Sequence, residues 1–141
     1  MTNSDCIFCK IIAKEIQAEI IHETKDTIAI VDLQPNNIGH SLVIPKAHYE
    51  NIYSLPNDLI SVLFQEVRDI SLAVRNAVHA DGMNIHINNE QAAGQVIFHS
   101  HIHVIPRFYN DGLKHFDLKQ YEYPNRIHDI GGKIREVLSL T

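Results

Sequence analysis

The stretch His99-Ser100-His101-Ile102-His103-Val104-Ile105, closed by Pro106, decides how this chain is read. Residues i, i+2 and i+4 of a strand share one face. The spacing predicts a strand over residues 99–105 that projects His99, His101 and His103 together, with Ser100, Ile102 and Val104 facing the other way. Ile102 and Val104 supply the apolar side that fixes the register of such a strand. Two chemistries suit a row of imidazoles. A single metal ion needs three nitrogens about 2.0–2.1 Å from one point, yet the outer two Cα atoms of a regular strand would lie roughly 13 Å apart. An extended ligand lying along the row fits better. A phosphate meets the requirement, because imidazole is a nucleophile toward phosphorus and neighbouring rings supply protons and hydrogen bonds.

Outward from that stretch, Met83, Ile85 and Ile87 alternate with Asn84, His86 and Asn88, which predicts a second strand. A Gly94-containing loop joins the two. Leu59, Leu63, Val67, Ile70, Val74 and Ala77 recur at helical spacing, so residues 57–79 read as the longest helix. Ile60, Phe64 and Leu72 widen its apolar stripe beyond one buried face, which suits either a thick core helix or one also used between subunits. Short strands fit residues 19–23, 27–32 and 41–44, the last stopped by Pro45. A short helix over residues 6–14 has Ser4 or Asp5 as its cap, and a final helix covers residues 126–140 despite Gly131 and Gly132. Residues 110–125 are irregular. The sum is one α+β domain over residues 1–141, with an antiparallel sheet, a core over residues 5–107 and an extension over residues 108–141.

The chain has 141 residues and a formal charge of -5, and its 12 basic residues are scattered rather than clustered. That balance argues against tracking a nucleic-acid backbone. No apolar run approaches the roughly 20 residues that span a bilayer, and residues 1–5 lack the features of a signal peptide. The expectation is a cytoplasmic protein without membrane or nucleic-acid partners. Ten histidines in so short a chain point to chemistry near neutral pH. Cys6 and Cys9 are too few for a disulfide framework. They read as half of a zinc site, a redox pair or two ordinary helix cysteines.

These blocks together resemble the histidine triad (HIT) family of nucleotide-binding proteins. The resemblance rests on His99 to Ile105, on Ala93-Gly94-Gln95 and Pro106-Arg107 flanking it, and on Gly39-His40-Ser41-Leu42-Val43-Ile44-Pro45-Lys46-Ala47-His48. The opening Cys6-Ile7-Phe8-Cys9-Lys10-Ile11-Ile12 is similar to a bacterial-type branch, and the likeness covers residues 5–107. It implies a HIT-like sheet of about five strands with one long and two shorter helices. It also implies hydrolysis or transfer on purine nucleoside phosphoramidates or dinucleoside polyphosphates through a nucleotidyl-histidine intermediate. The other readings are a mononuclear zinc hydrolase and a nucleotide-binding regulatory module with little catalysis.

By the same resemblance His101 is the nucleophile, His103 holds it in its reactive tautomer and His40 orients the pair. His99 completes the triad. Asp32 receives the ribose, Leu33 lines the base pocket, and Asn88, Gly94, Gln95 and Val96 lie near the phosphate and leaving group. Val96 stands where many relatives carry a hydroxyl, and Ser100 where the pattern is usually apolar. A structural Zn2+ held by Cys6, Cys9, His48 and His99 is implied, with no catalytic metal, and so is a homodimer. His22, His79, His86, His115 and His128 match nothing in the motif and read as structural or surface residues.

Overall fold

The computed structural model describes residues 3–141; the first two residues of the expected domain lie outside that description. The chain divides into two compact units, Met1–Asp111 and Gly112–Thr141. In the first unit a short helix α1 (Ile7–Ile12) precedes β1 (Ile20–Glu23), β2 (Thr27–Val31) and β3 (Ser41–Pro45). The long helix α2 (Asn57–Val78) follows, then β4 (Gly82–His86) and β5 (Ile102–Arg107). The five strands form one sheet in the order β1-β2-β3-β5-β4, every pairing antiparallel. The second unit holds the amphipathic helix α3 (Arg126–Ser139).

Alternation along the strands separates two apolar layers. Ala29, Val43, Ile102 and Val104 join Leu63, Val67, Ile70 and Val74 of α2 on one face. Ile28, Ile30, Leu42 and Ile44 join Phe8 and Ile11 of α1 on the other. The long helix is therefore the scaffold side. Since His103 pairs with Leu42 across β3 and β5, its side chain shares the α1 face.

Several boundaries differ from the sequence reading for identifiable reasons. The cap of α1 is Cys6, whose sulfur accepts from the Cys9 amide, rather than Ser4 or Asp5. Pro45 belongs to β3 because it pairs with Thr27 on the β2 side, where no proline N–H is needed. The long helix ends at His79 in a left-handed cap with φ 55°. The largest difference concerns the histidine stretch. Strand β5 begins at Ile102, so His99 and His101 precede it and only His103 lies within it. The β3–β5 ladder stops at the Val43–Ile102 pair. Beyond that point the Pro45 carbonyl accepts from the His99 imidazole, and the Ser100 amide donates to Tyr49 instead. The three rings do not form one uniform row.

Candidate active site and metal cluster

Departure from strand geometry sends the three histidines to two places. His99 is fully buried, and its Nε2 lies 2.7 Å from the Pro45 carbonyl oxygen. A carbonyl only accepts, so Nε2 carries the proton and the lone pair stays on Nδ1. That Nδ1 lies 3.4 Å from Cys6 Sγ, 3.6 Å from Cys9 Sγ and 3.1 Å from His48 Nδ1, while His48 Nδ1 lies 3.4 Å from Cys9 Sγ. A tetrahedral zinc with Zn–N near 2.0–2.1 Å and Zn–S near 2.3 Å would space its ligands roughly 3.3–3.8 Å apart. The sulfur–nitrogen distances fall in that range, the His48–His99 pair at 3.1 Å lies just under it, and the two-sulfur, two-nitrogen donor set suits that ion. Burial pushes the Cys9 thiol above its ordinary value and the His99 imidazolium down to about 4.

His101 and His103 turn instead into a pocket of about 520 Å³ in the first unit, which His40, Asp32, Leu33, Asn88, Gly94 and Val96 also line. The His101 Nδ1 lies 2.7 Å from the His99 carbonyl. By the same reasoning Nδ1 is protonated and Nε2 keeps a free lone pair. His40 is 1% exposed, and its Nδ1 accepts from the Asn36 amide at 3.0 Å. Its proton therefore sits on Nε2, which donates to His103 Nδ1 at 2.9 Å. His103 is left with its proton on Nε2. The chain of contacts thus produces one unprotonated ring nitrogen on His101 beside one N–H donor on His103, the two rings 5.0 Å apart.

Electrostatics hold these rings uncharged. Burial, reinforced by repulsion from His101, His86 and His40, pushes His103 down to about 3. Burial likewise lowers His101 and His40, and the Asp32 carboxylate partly opposes it in both. Asp32 Oδ2 lies 3.6 Å from His40 Nε2, and Oδ1 accepts from the Gln34 amide at 2.9 Å. Asp32, His40 and His103 group closely enough to suggest a second ion site. However, His40 presents a proton to the group rather than a lone pair, which suits hydrogen bonding.

The pocket wall is apolar at one end, where Ile7, Ile11, Ile16 and Ile30 meet Leu33. Leu33 and Val96 are 83% and 85% exposed, free to be covered by a ligand. Gly94 takes φ 88°, a conformation that favours glycine, and Asn88 donates to its carbonyl. Gln95 is placed differently from its sequence expectation. Its carboxamide donates to the Glu50 and Ile97 carbonyls and accepts from the Glu90 amide, so the side chain braces the loop.

Two features were not legible in the sequence. Phe8 of α1 packs edge-on against both His99 and His101, with ring centroids at 5.8 and 5.0 Å. His86, read as a structural or surface residue, pairs directly with His103 across β4 and β5, and their rings lie 4.8 Å apart. Only the strand register reveals it.

The class defined here is an antiparallel α+β fold with His40, His101 and His103 set beside a partly apolar pocket. The HIT domain pattern matches residues 13–110, and the chain belongs to that family. An uncharacterized HIT-like protein of Methanocaldococcus jannaschii is 38% identical over 90% of this chain and 99% of its own length. An adenylylsulfatase of Arabidopsis thaliana is 43% identical over 78% of this chain and 56% of its own. An adenosine 5'-monophosphoramidase of Candida albicans is 34% identical over 75% and 72%. Among solved structures, a HIT family protein of Bacillus subtilis superposes with a TM-score of 0.86 at 34% identity, covering 94% of this chain and 96% of its own. A Zn-bound histidine triad family protein of Mycobacterium smegmatis gives 0.74 at 31% identity over 97% and 98%.

Proposed function

We propose that this chain is a nucleotide hydrolase or transferase that cleaves the P–N bond of purine nucleoside phosphoramidates or the anhydride of dinucleoside polyphosphates. The observation that carries the reading is the His101 Nδ1–H bond to the His99 carbonyl, which leaves Nε2 as a free nucleophile in the pocket. Nε2 attacks the α-phosphorus, and the leaving group departs with its bonding electron pair. The His103 Nε2–H donates to a phosphate oxygen as negative charge gathers there. Water then attacks the nucleotidyl-His101 phosphorus, and the imidazole leaves with the electrons of the P–N bond. The His40 bond to His103 keeps the donor pointed correctly. Asp32 receives the ribose hydroxyls, and Leu33 with the isoleucine slot takes the base. Relatives that are an adenylylsulfatase and an adenosine 5'-monophosphoramidase support an adenylyl substrate.

Cys6, Cys9, His48 and His99 would hold a structural Zn2+, and its chemistry there is to bind α1 to the segment that carries His101. The Zn-bound relative supports this assignment. A homodimer in the cytoplasm completes the reading. Val62, Phe64 and Leu72 on α2 remain exposed enough to serve an interface, and no helix among the described residues is long and apolar enough to cross a membrane. Sizing at micromolar concentration checks the dimer.

The test is an alkaline denaturing quench, which preserves a phosphorus–nitrogen bond to histidine, during turnover of adenosine 5'-phosphoramidate labelled in the nucleotide. Label on the wild-type protein, absent from His101→Ala while nucleotide binding survives, is the expected result. Comparable turnover by His101→Ala would remove the nucleophile.

A further inference from the structure

The imidazole cluster contains a fourth ring that the proposed chemistry leaves without a task. His86 ends β4 directly opposite His103, on the same face of the sheet, with a ring-centroid separation of 4.8 Å and an interplanar angle of 44°. The His101 and His86 rings each lie about 5 Å from the His103 ring. Displacement at phosphorus brings the nucleophile in on one side and releases the leaving group on the other. With His101 as the nucleophile and His103 donating to the phosphate oxygens, His86 is the ring that adjoins His103 across the strand pair.

The other three rings cannot readily supply a proton to a departing amine. His40 has both nitrogens engaged, by Asn36 and by His103. His101 has its proton held by the His99 carbonyl and its lone pair directed to phosphorus. His103 accepts from His40 and offers its one N–H to the phosphate. His86 is the exposed member of the set, so it exchanges protons with water between turnovers. Its ring is held below the ordinary imidazole range by partial burial alone, and a bound anionic phosphate supplies the opposite charge that favours an imidazolium.

We propose that His86 is the proton donor to the leaving group, resting on the reading of His101 as nucleophile. As the P–N bond breaks, its electron pair stays on the leaving nitrogen, and the His86 imidazolium transfers its proton there. Neutral His86 then takes a proton from the water that attacks the nucleotidyl-His101 phosphorus. That restores the imidazolium as the electron pair returns to His101. Protons and electrons balance over one cycle, and no other reactant is required.

Leaving-group dependence tests this. An amine needs a proton to depart, whereas the sulfate of adenylyl sulfate is a weak base and leaves without one. His86→Ala should lose on the order of 100-fold or more in kcat/KM toward adenosine 5'-phosphoramidate and only about 3-fold or less toward adenylyl sulfate, because kcat/KM reports transfer to His101 and not the hydrolysis of the shared intermediate. Imidazole added to the buffer should restore at least 10-fold of the lost amine rate, and His86→Gln should behave as His86→Ala does. Melting temperatures matched to wild type exclude misfolding. Equal losses on both substrates, or no loss on either, would overturn the assignment. Failure of the underlying reading shows separately, as a wild-type chain that acquires no label at His101.

Discussion

Replacing Ser100 with alanine should stabilise the protein. Ser100 is 1% exposed, and its Oγ is the one buried side-chain polar atom among the described residues without a hydrogen-bond partner. Its backbone is already anchored, since the Ser100 amide donates to the Tyr49 carbonyl at 2.6 Å. A desolvated, unpaired hydroxyl costs about 1–3 kcal/mol. Deleting one oxygen leaves a void of roughly 15 Å³, worth about 0.4 kcal/mol at the usual cavity coefficient. The net gain is then about 0.5–2.5 kcal/mol. At roughly 3–4 °C per kcal/mol for a chain of this length, the melting temperature should rise by about 2–10 °C. Urea unfolding should show a higher midpoint at unchanged slope, with metal content matched between the two proteins. Ser100 does not line the pocket, so turnover should stay within about 2-fold of wild type. A melting temperature lowered by more than about 1 °C would refute the reasoning, since it would mean the hydroxyl has a native partner.

Other expectations follow from the same contacts. Phe8→Ala should cost about 3–5 kcal/mol in urea unfolding, because the ring is 3% exposed within the α1-side core. Phe8→Leu should cost less than about 1.5 kcal/mol yet still lower kcat, since it removes the ring edge against His101; unchanged kcat in a folded Phe8→Leu protein would contradict that. Stability should also fall as pH drops below about 6.5. Above that value His103 is neutral in both folded and unfolded chains. Below it the unfolded chain takes up a proton that the folded site, titrating at about 3, refuses. Urea midpoints at pH 6.5 and 5, above the carboxylate range, should therefore diverge less in His103→Gln than in wild type.

Much of this arrangement was readable from residue spacing. The two apolar periods located α2 and the strands, because burial on one face enforces the repeat. The pocket's lining was readable only where side chains carry distinctive chemistry, as at His40, Asp32 and His101, which line one cavity. What escaped was set by main-chain groups that a residue pattern does not encode. The start of β5 depends on which partner takes the Pro45 carbonyl, and the three alternating histidines concealed a division of the stretch between two destinations. Gln95 looked like a ligand contact because its polarity is visible in sequence and its three internal bonds are not. His86 required the β4–β5 register, which is a long-range property.

His99 turns toward the sulfurs through its ring and grips the His101 imidazole through its peptide oxygen. One residue is thus a shared joint. A twist of its peptide plane would loosen both assemblies together, whereas trimming its side chain would leave the oxygen that grips His101 in place. The two sites can therefore be separated by mutagenesis at the ring but not by any displacement of the backbone.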